Sequence, residues 1–335
     1  MIELPSPYLL FLGNASDELA IKTAKALFEW VPEKCLGQIS LPECKVNLDL
    51  PRLSIKEASQ LGAKSLVIGT TAPGGRIKSS WHSTLVDALK SGLNLVSGLH
   101  EQVSQISAIA NEAAKANRQI IDIRQSSLPL PIGKGIKRHG KRLLTMGTDC
   151  SIGKMYTALC LTHSLNKRGI DANFRATGQT GMIIAGKGIA IDAVIADFIS
   201  GAAEMLSPTN QSAHWDIIEG QGSIMHPSFS GVSLGLLHGS QPDVIVICHE
   251  PVRTHMRGLS HYPMPNLQSC IDLSLRLAKI TNPEVSCLGI SVNTSKLDPK
   301  ARDDMLKKIG DETGLLTIDP KIDVSPLTER LIALC

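Results

Sequence analysis

Residues 145–155 read TMGTDCSIGKM, and this stretch determines how the rest of the chain can be interpreted. It follows a short apolar run at residues 142–144 and precedes a helical pattern over residues 154–167. A strand, a glycine-bounded loop, a Gly-Lys pair and a helix are together typical of a phosphate-binding loop. In such a loop, free backbone N–H groups and the positive end of the helix dipole converge on one point and stabilise an anion. Lys154 adds a positive charge for a phosphate oxygen.

The loop departs from the usual nucleotide-binding pattern in two ways. Five residues, rather than four, separate Gly147 from Gly153, and Met155 stands where a Walker-A loop carries Ser or Thr. That hydroxyl normally binds the Mg²⁺ of a nucleoside triphosphate, for which a thioether is a poor ligand. The sequence therefore predicts a phosphate cradle with no essential Mg²⁺ and no other metal site. The residues expected to contact the phosphates are Gly147, Thr148, Asp149, Cys150, Ser151, Ile152, Gly153, Lys154 and Met155.

Composition indicates a globular protein of two domains. The chain has 335 residues, of which 43% are hydrophobic and 19% charged, with a net charge of +3. So small a charge, with 3% aromatic residues, argues against binding to nucleic acid or to an anionic membrane. Residues 1–14 have no basic segment and no long apolar run, so we expect neither a signal peptide nor a transmembrane span. The eight cysteines form no CxxC pair, which favours reduced thiols and a cytoplasmic location.

Residues 1–130 alternate strand-like and helix-like patterns, and this predicts a Rossmann-like domain with a parallel sheet. No GxGxxG motif follows its first strand, so the fingerprint of a dinucleotide site is missing. The loop PGGR, residues 73–76, lies where it could reach a phosphate or carboxylate, but a glycine turn with a solvated arginine explains it equally well. Residues 131–140 are rich in glycine and basic residues and are interpreted as an interdomain linker.

The second domain is predicted to span residues 141–335, as a P-loop NTPase-like α/β domain. Open α/β sheets bind their ligands at the carboxyl ends of the strands, so the ionisable residues there are the site candidates. Asp216 and Glu219 flank a strand expected at residues 215–218, and His226 follows in the same segment. The other ionisable residues at or after strand ends, which are also site candidates, are Arg175, His249, Glu250, Arg253, His255 and Arg257.

Two motifs resemble those of dethiobiotin synthetase, a P-loop ligase. They are GTDCSIGKM at residues 147–155 and EGQG at residues 219–222, although Met155 replaces the threonine of that enzyme. A second resemblance, to the D-glutamate N-acetyltransferase family, covers essentially the whole chain. It includes the Rossmann-like first half, GTDCSIGKM and three further motifs, which are RATGQTGM (residues 175–182), DIIEGQGSIMHP (216–227) and CHEPVR (248–253).

This second resemblance implies transfer of an acetyl group from acetyl-CoA to the amine of D-glutamate or a related D-amino acid. The product would pass to a partner epimerase. Coenzyme A carries a pyrophosphate and a 3′-phosphate, so a phosphate loop without a Mg²⁺ ligand suits it. The attacking amine must lose a proton, and Glu219 is the first candidate for the base, followed by Asp216 and His226. Residues expected to bind the substrate are Arg175, Gln179, Thr180 and Arg253.

Several alternatives stay open from the sequence alone. Backbone N–H groups of residues 178–181 or 220–222 could stabilise the oxyanion of the tetrahedral intermediate. Cys150 could carry the acetyl group, although direct transfer is favoured because no neighbouring residue in the sequence activates this thiol. The chain could instead be an ATP-dependent ligase or kinase, or a non-catalytic module that senses a nucleotide or CoA. Proteins of this build usually self-associate, so we expect a homo-oligomer.

Overall fold

The computed structural model describes residues 4–18, 20–71, 75–125 and 129–334, and Pro73 and Gly74 of the PGGR loop lie outside these ranges. The chain forms two compact units. The first consists of Met1–Ser127 and Gln179–Ala190, and the second of Leu128–Gly178 and Ile191–Cys335. No helix in the described ranges is long and apolar enough to cross a lipid bilayer.

The first unit is a parallel sheet whose strands alternate with helices. The five strands lie in the order β2-β1-β3-β4-β5. Every residue of the adjacent strands at Tyr8–Phe11 and Ser65–Ile68 is buried, as expected inside a parallel sheet. The elements are β1 (Tyr8–Phe11), α1 (Lys22–Trp30), β2 (Cys35–Ile39), α2 (Ile55–Gln60), β3 (Ser65–Ile68), α3 (His82–Lys90), β4 (Asn94–Ser97), α4 (Ser107–Ala116) and β5 (Ile120–Asp122).

The second unit is built on a six-stranded parallel sheet in the order β13-β12-β9-β6-β8-β7, with a separate antiparallel hairpin of β10 and β11. The remaining strands of the chain are β6 (Lys141–Gly147), β7 (Ala172–Arg175), β8 (Trp215–Ile218), β9 (Val244–His249), β10 (His255–Met256), β11 (Leu259–Pro263), β12 (Ser286–Val292) and β13 (Thr317–Ile318). The remaining helices are α5 (Lys154–Lys167), α6 (Gln179–Ala185), α7 (Ile199–Leu206), α8 (Ser230–Ser240), α9 (Leu267–Ala278), α10 (Pro299–Thr313) and α11 (Ser325–Ile332). The predicted fold class, with parallel α/β layers in both parts, is confirmed.

Short 3₁₀ helices supplement these elements in both units. They lie at Pro32–Lys34, Ser79–Trp81, Val103–Gln105, Ile191–Ala193 and Ala196–Phe198.

Strand β6 lies in the middle of the second sheet, between β8 and β9. All three strands run parallel, so their carboxyl ends meet at one edge. The residues delivered to this edge are Gly147 from β6, Glu219 directly after β8, and His249 from β9. The phosphate loop therefore lies where an open α/β sheet binds its ligands.

Helix α6 follows β7 in the chain but packs in the first unit. The hydroxyls of Thr180 and Thr23 hydrogen-bond at 3.1 Å, and Arg124 Nη2 donates to Gln179 Oε1 at 3.4 Å. The sequence interpretation treats residues 177–181 as a loop, whereas the helix already begins at Gln179. The side chains at the start of this helix are thus engaged within the first unit.

The basic segment at residues 131–140 is fixed to the second unit. The Arg138 guanidinium donates to the carbonyl oxygens of Ser207 and Gly239, both at 2.8 Å, and to Gln241 Oε1 at 2.9 Å. Burial lowers the pKa of Arg138 to about 10. The segment therefore supplies hydrogen-bond donors to the carboxyl end of α8, where carbonyl groups lack partners within the helix.

Candidate active site

The loop between β6 and α5 has the backbone geometry of an anion-binding nest. Ser151 and Gly153 both adopt positive φ angles, +52° and +111°, which turn successive N–H groups towards one side. Within the described part of the chain, the N–H groups of Ser151, Ile152 and Gly153 donate to no acceptor. Three unused donors at the start of a 14-residue helix form a site for a phosphate group.

Lys154 is the buried cation of this loop, with 7% of its surface exposed. Its Nζ donates to the carbonyl oxygen of Asp149 at 2.7 Å. The side chain runs past Gly220, where a Cβ atom would lie 3.0 Å from Lys154 Cδ and only 1.6 Å from the carbonyl oxygen of Thr145. Glycine is therefore required at position 220. Burial lowers the pKa of Lys154, and a bound phosphate would favour its charged form.

Glu219 is held beside this lysine by the backbone that follows β7. Its Oε2 accepts hydrogen bonds from the N–H groups of Thr177 and Gly178 at 3.0 and 3.1 Å. Burial raises its pKa to about 7, although these two hydrogen bonds and the charge of Lys154 act against the rise. A carboxyl group with this pKa can accept and release protons near neutral pH.

Asp149 ties the phosphate loop to the hairpin of β10 and β11. This fully buried carboxylate accepts from the N–H of Cys150 at 2.7 Å, from Arg253 Nη1 at 2.7 Å and from the N–H of Arg257 at 2.8 Å. Because these donors already occupy the oxygens of this buried carboxylate, Asp149 has little capacity to accept hydrogen bonds from a ligand.

Arg253 supports the loop with both terminal nitrogens of its guanidinium. Besides Asp149 it donates to the carbonyl oxygens of Cys150 and Ser151, at 2.7 and 3.2 Å, and it forms an ion pair with Glu250. The sequence predicts that Arg253 binds a substrate carboxylate. In the structure the Arg253 guanidinium instead holds the phosphate loop in position.

His226 lies next to Asp149 but both of its ring nitrogens are engaged. Nδ1 accepts the N–H of Ser228 at 3.1 Å, which leaves Nε2 to donate to the carbonyl oxygen of Arg257 at 3.2 Å. Asp149 Oδ1 lies 3.8 Å from the same Nε2. A histidine with no free lone pair is poorly suited to be the base, so the geometry favours Glu219 over His226.

Atoms of Asp149, Cys150 and His226 that could bind a metal lie within 4.8 Å of one another. The carboxylate and the imidazole already have the partners described above, which makes this group a poor metal site. Burial raises the pKa of the Cys150 thiol, so this thiol is not activated as a nucleophile.

Asp216 lies inside β8 and away from the phosphate loop. It pairs in register with Arg142, five residues before Gly147 on β6, which corresponds to about 17 Å along the strand. Its carboxylate accepts from Arg175 Nε and Ser207 Oγ, both at 2.6 Å. The predicted roles of Asp216 as a base and Arg175 as a substrate-binding residue do not fit this position, because each neutralises the other in the core.

Replacing Asp216 with asparagine should destabilise the protein by about 3 kcal/mol or more, because it leaves the buried guanidinium of Arg175 without its carboxylate. The unfolding midpoint in urea measures this effect. The matched control is Asp311→Asn, which removes an exposed partner of Lys307 and should leave the midpoint unchanged. An Asp216→Asn variant as stable as the wild type would contradict this account of the core.

His249 is a site residue to which the sequence assigns no role. It ends β9 beside the loop, and its Nδ1 hydrogen-bonds with Thr148 Oγ1 at 3.0 Å. Burial lowers its pKa to about 4, so it is neutral at pH 7. Its position at a strand end is the signal that makes it a site candidate in the sequence. Gln179 and Thr180, which the sequence assigns to the substrate, belong to the first unit.

The fold and the loop together define a P-loop α/β protein with a Rossmann-like companion domain. A family model described as a domain of unknown function, the DUF1611 P-loop domain, matches residues 131–328. A second model, the DUF1611 Rossmann-like domain, matches residues 40–126. The chain belongs to the DUF1611 family.

Named relatives in this family cover nearly the whole chain. A D-glutamate N-acetyltransferase of Pseudoalteromonas sp is 49% identical over 322 residues, which are 96% of this chain and 97% of that protein. A D-glutamate N-acetyltransferase of Tritonibacter scottomollicae is 49% identical over 320 residues, or 96% of each. The crystal structure of a DUF1611 family protein from Anabaena variabilis superimposes with a TM-score of 0.87 at 30% identity, covering 98% of this chain and 100% of that one. The predicted membership of the D-glutamate N-acetyltransferase family is confirmed.

Proposed function

We propose that this protein is an acyltransferase that moves an acetyl group to the amine of D-glutamate. Two relatives that carry this name and are 49% identical over 96% of the chain support the proposal. The structural observation that carries it is the packing of the Lys154 side chain against Gly220, the residue directly after Glu219. A cradle for phosphates lies beside a carboxyl group with a pKa of about 7, and an acyl transfer from a phosphate-bearing donor needs both.

The proposed donor is acetyl-CoA, whose phosphates would occupy the loop. A thioester is already activated for attack by an amine, so the reaction requires no hydrolysis of a nucleotide. Met155, half-buried in the first turn of α5, offers no hydroxyl to a Mg²⁺ ion. We therefore expect transfer without added Mg²⁺.

In the proposed mechanism Glu219 acts as the base and then as the acid. The neutral amine forms a bond to the acetyl carbon, and the Glu219 carboxylate takes a proton from the nitrogen, directly or through water. The tetrahedral intermediate then breaks its C–S bond. The CoA thiolate leaves with the proton that Glu219 had accepted, which regenerates the carboxylate.

Backbone donors beside Glu219 are available for the oxyanion. The N–H of Gly220 is used by Thr145 Oγ1 at 3.0 Å, and that of Gly178 by Glu219. Within the described ranges, the N–H groups of Gln221 and Gly222 donate to no acceptor. We assign these two groups to the intermediate, where preorganised donors stabilise developing negative charge.

Three further expectations complete the proposal. The acetylated product would be consumed by an epimerase, the protein would work in the cytoplasm, and it would self-associate. Size-exclusion chromatography with light scattering tests the last of these.

Release of free thiol from acetyl-CoA tests the proposal directly. We expect release that depends on D-glutamate and proceeds without ATP or Mg²⁺, measured beside reactions with L-glutamate and with no amine. No release with any amine, together with ATP hydrolysis that requires Mg²⁺, would assign the protein to the ligases instead.

A further inference from the structure

The backbone of Arg257 is fixed from both sides by buried side chains of the site. Its N–H donates to the carboxylate of Asp149, which is fully buried, and its carbonyl oxygen accepts from His226, which is 1% exposed. Gly258, with φ of +80°, follows it at the turn between β10 and β11. The buried side chains of Asp149 and His226 thus fix the backbone position of Arg257, whose own side chain is exposed.

The side chain of Arg257 has no such partner. It is exposed, and within the described residues its guanidinium makes no hydrogen bond or ion pair. This contrasts with Arg175 and Arg253, whose guanidinium groups are bonded to carboxylates. Arg257 is therefore the arginine of this region whose donors remain available to a ligand.

The backbone of Arg257 lies beside the phosphate loop, because its N–H donates at 2.8 Å to Asp149, the residue directly before Cys150. Burial raises the pKa of the Cys150 thiol, and the charges of Lys154, Arg257 and Arg253 act against that rise. Cys150 directly precedes Ser151, the first of the three residues with unused N–H groups. An anion held by those groups would consequently lie close to Arg257 as well.

We propose that Arg257 binds a phosphate group of the acyl donor. Hydrogen bonds between its backbone and the side chains of Asp149 and His226 hold this residue beside the phosphate loop. This inference rests on the proposed function, because it takes the donor to carry more than one phosphate group. The nest and Lys154 hold one phosphate group, and the planar guanidinium of Arg257 binds two oxygens of a second phosphate group. The hairpin that carries Arg257 then contributes directly to donor recognition.

Calorimetric titration with CoA, which undergoes no turnover, tests the assignment. Arg257→Ala should weaken CoA binding about tenfold or more, and Arg257→Lys should restore part of it, since lysine keeps the charge without the fork. The matched control is Arg276→Ala, an exposed arginine in the last turn of α9, which should bind CoA like the wild type. Thermal melting checks that all variants are folded. Wild-type affinity in Arg257→Ala would overturn the assignment.

Two further measurements separate this inference from the proposed function. Steady-state kinetics should show a raised KM for acetyl-CoA in Arg257→Ala and an unchanged KM for D-glutamate, and the reverse would mean that Arg257 binds a substrate carboxylate. Titration with inorganic pyrophosphate probes the phosphate site alone. If wild-type protein binds pyrophosphate through Arg257 but does not bind CoA, Arg257 is still a phosphate-binding residue and the proposed donor is wrong. If it binds neither, both fail.

Discussion

Replacing Lys154 with methionine should weaken CoA binding by about 10- to 100-fold, since each hydrogen bond to a charged group contributes roughly 1.5–3 kcal/mol. Methionine is one atom shorter than lysine and uncharged, but its Sδ takes the place of the Cδ atom that packs against Gly220, so this packing is preserved. The ammonium is a buried cation of the loop, where Nζ donates to the carbonyl oxygen of Asp149, two residues before the unused N–H groups of residues 151–153. Calorimetric titration with CoA measures the loss.

The control for this variant lies on the same helix. Lys167→Ala removes an exposed lysine from the last turn of α5, opposite to the loop, and should leave CoA affinity unchanged. Thermal melting should give a similar midpoint for Lys154→Met and wild type, because the substitution removes both the cost of burying the charge, which lowers the pKa of Lys154, and the stabilising hydrogen bond to Asp149. Unchanged affinity for acetyl-CoA in Lys154→Met would remove the loop from the proposed mechanism.

Replacing Glu219 with glutamine should lower kcat by about 10²- to 10⁴-fold, which is the usual contribution of a general base. Glutamine has the same shape, and its carbonyl oxygen can still accept from Thr177 and Gly178. In the wild type, Glu219 is protonated below its pKa of about 7 and cannot take the proton of the amine. The rate should therefore rise as the pH increases through 7, and this rise should be absent in Glu219→Gln.

Two neighbours of Glu219 test the origin of that pH dependence. The charge of Asp192 raises the pKa of Glu219 and the charge of Lys154 lowers it. The rise in rate should accordingly move to lower pH in Asp192→Asn and to higher pH in Lys154→Met. A Glu219→Gln variant that retains the wild-type rate and pH profile would assign the base to another residue.

The sequence predicts where the phosphate loop and Glu219 lie in the fold, because the information for both positions is local. A strand followed by glycines, a lysine and a helix specifies the loop whatever its surroundings. Glu219 follows Trp215–Ile218, in which three of the four residues are apolar, and this pattern indicates a buried strand in an α/β context. Its position at the carboxyl end of the sheet follows from the parallel α/β pattern alone.

The partners of the arginines could not be predicted in the same way. Arg253 meets Asp149 across 104 positions of the chain, and Arg175 meets Asp216 across 41. Such contacts depend on strand order and register, which no short motif encodes. A free arginine and a paired one look identical in the sequence, so Arg257 could not be distinguished from Arg253 before the fold was known.

The position of helix α6 limits the order in which the two units can fold during synthesis. The ribosome completes β6, the phosphate loop and α5 before it reaches Gln179–Ala185, yet that helix belongs to the unit at the start of the chain. Domains generally fold from the N-terminus as they emerge. Here the earliest-made unit cannot finish packing until residue 190 has been translated, so a fragment that ends at residue 127 lacks one of its own helices.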